Sequence, residues 1–358
     1  MAPVVRALQA RAPAIRVRVC VTAQHREMLD EVLALFGIPV DYDLDLMTPR
    51  QTLTDVAVRV LAGVDRILAE ESFDWVLVQG DTTTTLAAGQ AAFHRRVPVG
   101  HVEAGLRTGN LREPFPEEWN RRATDALSDW LFAPTERARA NLLAEGFEGG
   151  RILVTGNTGI DALLMALETP APAPPPELEG LAPDRPLVLV TAHRRESFGA
   201  PLESMCEGLA TLATRDNGSG VNVVYPVHPN PNVREAVAKH LVGRPNVCLL
   251  PPLDYHRFVH LMKRARLILT DSGGIQEEAP SLGKPVLVLR DRTERPEAVE
   301  AGTAKVIGVT GQAVIAEVDR LLTDAAAYQS MATARNPFGD GHAAERIADA
   351  LLASPGGR

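Results

Sequence analysis

Asp81 and Glu103 each follow a short Val-rich run, Trp75–Gln79 and Val97–Val102, and are separated by the length of one β-α-β unit. Runs of this kind read as parallel strands. Ligands of open parallel sheets bind beyond the carboxyl ends of the strands, so both acids belong to one sheet edge. Two carboxylates there can act as an acid/base pair if their surroundings split their proton affinities. The plainer alternative is a helix-capping Asp and a loop Glu. Gly80 permits a tight exit from the first run, and Thr82–Thr85 offer caps and hydroxyls. Next comes Pro114-Phe115-Pro116-Glu117-Glu118-Trp119-Asn120-Arg121, where prolines end a loop and start a helix. A helix start favours carboxylates by its dipole alone, so a catalytic Glu117 requires the crevice to be close.

The second half carries groups suited to an anion. His193 follows the run Leu187–Thr191 and precedes Arg194 and Arg195. A histidine with two arginines at a strand end suits a diphosphate, although a solvated basic loop would look the same. Ser272-Gly273-Gly274 lies between a strand and a helix. Glycines there let backbone N–H groups approach phosphate oxygens. Glu278 could accept hydrogen bonds from ribose hydroxyls, and Arg295 could neutralise a phosphate. Other patterns fail. Gly339–Ala344 has dinucleotide-motif spacing but no strand before it and too little chain after it. Gly283-Lys284 lacks P-loop spacing. Asp41, Asp43 and Asp45 read as a polar face or loop rather than a cation site. No histidine spacing matches a metal motif and no nicotinamide site is visible, so neither metal nor cofactor is expected.

The elements that must position these groups alternate between strand and helix patterns along the chain. Val17–Thr22 and Arg151–Thr155 complete the first set of expected strands, with helices over Leu53–Ala69 and Thr82–Arg95. Seven prolines between Thr169 and Pro186 interrupt the pattern, because proline removes a donor and fixes φ. The alternation then resumes with Leu187–Thr191, Asn222–Val227, Val247–Leu250, Leu267–Thr270 and Val286–Leu289. The expected organisation is an α/β chain of two Rossmann-like, doubly wound domains. They would span 1–168 and 187–338, with a hinge at 169–186 and a last stretch, 339–358, holding a helix near Ala343–Leu352 that returns to the first domain.

Composition agrees with that size class. The chain has 358 residues, 45% of them apolar, enough for two cores. A net charge of −8 argues against nucleic acid as a partner. No run is long enough to span a membrane, and the first residues do not read as a signal peptide. Cys20, Cys206 and Cys248 form no close pair, which fits a reducing cytoplasm.

Together the motifs resemble one family. They are Val-Thr-Ala-Gln-His-Arg-Glu-Met-Leu-Asp (21–30), Gly-Asp-Thr-Thr-Thr-Thr (80–85), Gly-His-Val-Glu-Ala-Gly-Leu-Arg-Thr-Gly (100–109), Pro-Glu-Glu-x-Asn-Arg (116–121), Gly-Asn-Thr-x-Ile-Asp (156–161), His-Arg-Arg-Glu-Ser (193–197), Leu-Thr-Asp-Ser-Gly-Gly-Ile-Gln-Glu-Glu-Ala-Pro (269–280) and Glu-Arg-Pro-Glu-Ala (294–298). In this order they resemble bacterial non-hydrolysing UDP-N-acetylglucosamine 2-epimerases over nearly the whole chain. The resemblance implies a glycosyltransferase-B-like fold with its active site in the interdomain cleft. It implies that Asp81, Glu103, Glu117 and His193 are catalytic, with Arg121 beside them. It assigns Ser272, Gly273, Gly274, Glu278 and Arg295 to UDP and Phe258 to the uracil side. Gln24, Arg59, Arg194 and His228 match a neighbouring site where a second UDP-N-acetylglucosamine activates bacterial members. A homodimer and a supply role in cell-surface polysaccharide synthesis are further implications.

The chain departs from the family pattern at its start. Family members carry a strand and then a Gly-Thr-Arg-Pro-Glu-x-x-Lys segment, and Met1-Ala2-Pro3 matches the positions just after that lysine. A first strand is therefore expected to be absent. Neighbours left unpaired would cost about 1–3 kcal/mol per buried backbone group. A start assigned too late is the expected explanation. The rival readings are a hydrolysing epimerase, a glycosyltransferase of the same fold, and a truncated, inactive nucleotide-sugar binder.

Overall fold

Strands covered by helices on both faces must be apolar throughout, and the runs after residue 186 meet that demand. A computed structural model describes residues 1–22, 26–46, 48, 50–215 and 220–354. The chain divides into two compact units, 1–165 with 338–358, and 166–337.

In the first unit, β1 (Cys20–Val21) pairs in parallel with β2 (Tyr42–Asp43). A parallel sheet comes next, in the order β3 (Val76–Gln79), β4 (Val99–Val102), β5 (Trp130–Ala133) and β6 (Ile152–Val154). The six-residue run expected at Val17–Thr22 is therefore a two-residue strand. At the start of that run the Asp41 side chain takes the Val19 N–H at 2.8 Å and the Arg18 guanidinium at 3.0 Å, so a side chain rather than a strand meets the backbone there. β5 had no counterpart among the expected strands. Its stabilisation is tertiary, with Leu131, Phe132 and Ala133 fully buried and Trp130 stacked on Phe132 at 5.8 Å.

Helix Leu53–Glu70 starts on a capping box, in which Thr52 and Asp55 satisfy each other's backbone N–H groups. It buries Val56, Val60, Val64 and Ile67 along one stripe. The last helix, Ala343–Ala353, buries Ile347, Ala348 and Leu351 against Val4, Leu8, Val102 and Phe132. Its first N–H groups are received by the buried Asp161, whose Oδ1 is 2.8 Å from the Ala344 nitrogen. Truncating Ile347 to Ala there would cost about 2–5 kcal/mol. The glycines of the rejected dinucleotide pattern serve this return: a Cβ on Gly156 would sit 3.1 Å from the Gly339 Cα.

The second unit holds one six-stranded parallel sheet. Its strands are β7 (Leu187–Thr191), β8 (Asn222–Pro226), β9 (Val247–Leu250), β10 (Leu267–Thr270), β11 (Val286–Val288) and β12 (Ala304–Val306). Their order is β9-β8-β7-β10-β11-β12. This is the doubly wound order with its reversal between β7 and β10. β12 was not expected because it is a short edge strand with an exposed Lys305 at its centre. The Pro-rich segment makes a 3-10 turn at Pro176–Gly180 and lies against this unit, where the Ala182 carbonyl accepts from Asn222 at 2.6 Å.

Candidate active site

Gly80 leaves β3 with φ +75°, and Asp81 comes directly after it. Thr82 then caps helix Thr83–His94 through the Thr85 N–H. β3 and β4 are parallel neighbours with Gln79 opposite Val102, so Asp81 and Glu103 leave the same sheet edge. The two turns are close: a Cβ on Gly80 would lie 3.7 Å from Glu103 Oε2. Glu103 itself adopts φ +70°, a left-handed conformation that costs a non-glycine residue about 1–3 kcal/mol. That strain sits at a residue singled out for chemistry.

Helix Glu117–Leu127 supplies the next groups. Glu117 is half-buried in its first turn, and Arg121 is one turn further on the same face. Arg121 donates to the Asp81 carboxylate and also lies 3.2 Å from Glu118. Glu118 is fully buried and accepts the Thr108 N–H at 3.1 Å, so it holds the loop beyond Glu103. Asn120 donates to the Asp81 carbonyl at 2.9 Å. The first unit thus brings Asp81, Glu103 and Arg121 together, with Glu117 on the helix that carries Arg121.

In the second unit, His193 lies just beyond β7 and Ser272 just beyond β10, so they flank the reversal point of the sheet. Asp271, fully buried, accepts the N–H groups of His193 at 2.5 Å and Arg194 at 2.7 Å. Its other oxygen is 3.2 Å from His193 Nδ1. His193 stacks on His228 with centroids 5.1 Å apart. Both line a cavity of about 200 Å³ with Leu253, Phe258, Ser272 and Ile275. His228 Nδ1 accepts the Asn230 N–H at 3.1 Å.

The helix after Ser272 spans only Gly273–Glu278, too short for a full macrodipole. The anion grip expected there would have to come from the turn's backbone and from Arg295. The Arg295 guanidinium carbon is 3.5 Å from where a Gly273 Cβ would be, and its Nε donates to Glu277. Glu278 lies 3.4 Å from the Tyr255 hydroxyl. Burial first, and then the neighbouring Glu277, push its carboxyl up to about 8. A protonated Glu278 can donate as well as accept towards a hydroxyl.

Arg59 donates to the Leu46 carbonyl at 3.1 Å and lies in the first unit, whereas Arg194 and His228 lie in the second. Gln24 lies outside the described residues. Asp43 and Asp45 both pair with Arg26. Among the described residues, no group of three or more His, Cys, Asp or Glu side chains could hold a metal ion. The supporting residues His101, Asp125, Asp271 and Glu277 were not singled out from the sequence. His101, Asp271 and Glu277 lie inside the quoted motifs 100–109 and 269–280, and that placement was the one signal for them; Asp125 lies outside any motif.

Known proteins share this sequence and this fold. The family model described as UDP-N-acetylglucosamine 2-epimerase matches residues 6–352. A UDP-N-acetylglucosamine 2-epimerase of Escherichia coli O157:H7 is 55% identical over 357 residues, covering 98% of this chain and 94% of that protein. The crystal structure of the Neisseria meningitidis UDP-GlcNAc 2-epimerase bound to UDP-GlcNAc superposes with a TM-score of 0.85 at 46% identity, covering 99% of this chain and 96% of that one. The Methanocaldococcus jannaschii UDP-GlcNAc 2-epimerase, solved with UDP-GlcNAc and UDP, gives 0.75 at 33% identity, covering 99% and 96%. Sequence, sheet order and relatives converge, and the chain belongs to the UDP-N-acetylglucosamine 2-epimerase family of isomerases.

Proposed function

We propose that this chain interconverts UDP-N-acetylglucosamine and UDP-N-acetylmannosamine by eliminating and re-adding UDP, with Asp81, Glu103 and Glu117 as the acid/base set. The C2 hydrogen of the sugar has no adjacent carbonyl and is not acidic. Breaking the bond from C1 to the UDP oxygen changes that, because positive charge grows at C1. The bonding pair leaves with UDP, a carboxylate removes the C2 proton, and the C1–C2 double bond of 2-acetamidoglucal forms. Reversal on the opposite face of C2 returns the proton and rebuilds the C1–O bond. No hydride moves, so the scheme calls for no redox cofactor.

The observation that carries this reading is the pair of carboxylates at the ends of adjacent parallel strands, one bonded to Arg121. His193, Arg295 and the Ser272–Gly274 turn would stabilise the departing diphosphate. Glu278 would receive the ribose, and Phe258 in the cavity would meet the uracil. By the family resemblance, Gln24, Arg59, Arg194 and His228 would hold a second, activating nucleotide sugar. No helix of the described residues is long and apolar enough to cross a membrane. A cytoplasmic location is inferred from the cysteine usage, and a homodimer from the family resemblance.

The test is turnover of UDP-N-acetylglucosamine in D2O. Deuterium should enter at C2 while UDP-N-acetylmannosamine accumulates. Free N-acetylmannosamine with stoichiometric UDP would instead mark the hydrolysing reaction. Strict dependence on an added acceptor would mark a glycosyltransferase.

A further inference from the structure

The acids of the first unit sit on separate elements, the turn after β3, the end of β4 and the start of helix Glu117–Leu127. One fully buried side chain on β4 bonds to the other two elements. His101 lies two residues before Glu103. Its Nε2 is 2.8 Å from the carbonyl of Gly80, the residue that carries Asp81. Its Nδ1 is 2.6 Å from Asp125 Oδ1, on the helix that carries Glu117 and Arg121. Both His101 and Asp125 are 0% exposed.

The donor count makes this contact specific. The Gly80 carbonyl can only accept, so Nε2 donates to it, and Nδ1 shares the second hydrogen bond with the Asp125 carboxyl. The second Asp125 oxygen is already engaged by the Arg107 guanidinium at 2.8 Å and the Gly105 N–H at 3.3 Å. Arg107 is clamped in turn by Glu145 at 2.7 Å. Asp125 is thus fixed by the loop beyond Glu103 and offers one oxygen to the ring. A neutral amide in place of His101 would reach one acceptor and turn its own oxygen towards the other.

We propose that His101 is a positioning residue for epimerisation: its two-sided bond from the Gly80 carbonyl to Asp125 sets the mutual placement of Asp81, Glu103 and Glu117. The proposal rests on the reading that these carboxylates exchange the C2 proton. His101 touches no substrate in this scheme. It acts on the catalytic step because misplacing a reacting group by about 1 Å can cost on the order of 10²-fold in rate.

The experiment compares the full chain with His101→Gln, Asp125→Asn and the double variant, using turnover per folded molecule, KM for UDP-N-acetylglucosamine and affinity for UDP. His101→Gln should lower kcat about 10²-fold while KM and UDP affinity stay within about threefold. The double variant should recover about tenfold of the loss, since an Asn amide can donate to the Gln oxygen while the Gln amide holds Gly80. A simple loss of packing would reduce the folded fraction and leave kcat per folded molecule unchanged, with no recovery in the double variant, and would overturn the proposal. If His101→Gln does not fold, Asp125→Asn and the double variant carry the same comparison. Glu103→Gln and Asp81→Asn are assayed alongside. If they are inactive while the His101 and Asp125 variants are fully active, only the positioning role fails. If they keep full activity, the acid/base assignment itself fails.

Discussion

The two units prepare their groups in different ways. In the first, charged side chains hold charged side chains: Arg121 bonds Asp81 and Glu118, and Arg107 bonds Asp125 and Glu145. Its apolar core is distributed over several small clusters. In the second, a buried carboxylate, Asp271, receives backbone N–H groups, and a glycine turn leaves backbone exposed beside Arg295. One face of its sheet packs into a large apolar cluster. Side-chain networks can place a proton donor or acceptor closely but fail when one member is lost. Backbone turns on a solid sheet tolerate side-chain loss better and suit a charged ligand that must bind and leave. Damage to the first unit should therefore fall on the chemical step, and damage to the second on binding.

The sharpest break of that contrast comes from the acids themselves. Asp81→Asn and Glu103→Gln should each lower kcat by about 10²–10⁴-fold, the usual range for a lost acid or base. UDP affinity, measured by calorimetry, should stay within about threefold. An affinity that collapsed with kcat would show that these carboxylates serve binding and would erase the contrast.

A smaller effect is expected from Arg295→Ala. Charge-assisted hydrogen bonds contribute about 1.5–3 kcal/mol, so UDP affinity should fall about 10- to 100-fold. Deuterium exchange at saturating substrate should fall less than affinity does. Equal losses in both would place Arg295 in the transition state rather than in the grip on UDP.

The mildest test is the pH dependence of stability. Burial raises the Glu278 carboxyl from its ordinary 4.5 to about 8, so between those values the folded chain keeps a proton that the unfolded chain releases. Stability contributed by that proton falls as pH rises through this window and is gone above about 8. Glu278→Gln removes the titration. Its melting temperature relative to the parent should therefore climb from pH 5 to pH 8. A constant difference across that range would mean that Glu278 is well solvated.

Much of the fold was legible. Leu187–Thr191 and Leu267–Thr270 are strands at the residues their apolar runs mark, and the prolines before Glu117 do start a helix. β5 and β12 were not legible, because one depends on burial by the rest of its sheet and the other is a partly polar edge. For the site, spacing alone put Asp81 and Glu103 on one edge and set Ser272 at a strand-to-helix turn. Apart from Arg121, the partners that orient them were not singled out. His101 and Asp125 are 24 residues apart in sequence, and His193 and Asp271 are 78 apart.

Most of the strands, the turn glycines and the types of the reacting groups are written in the local sequence, because apolar period, φ freedom and side-chain chemistry are properties of short segments. Which carboxylate meets which guanidinium or imidazole was decided only by the tertiary structure. Hydrogen bonds are set by distances of about 3 Å, and folding brings distant segments to that range through packing that no short window encodes.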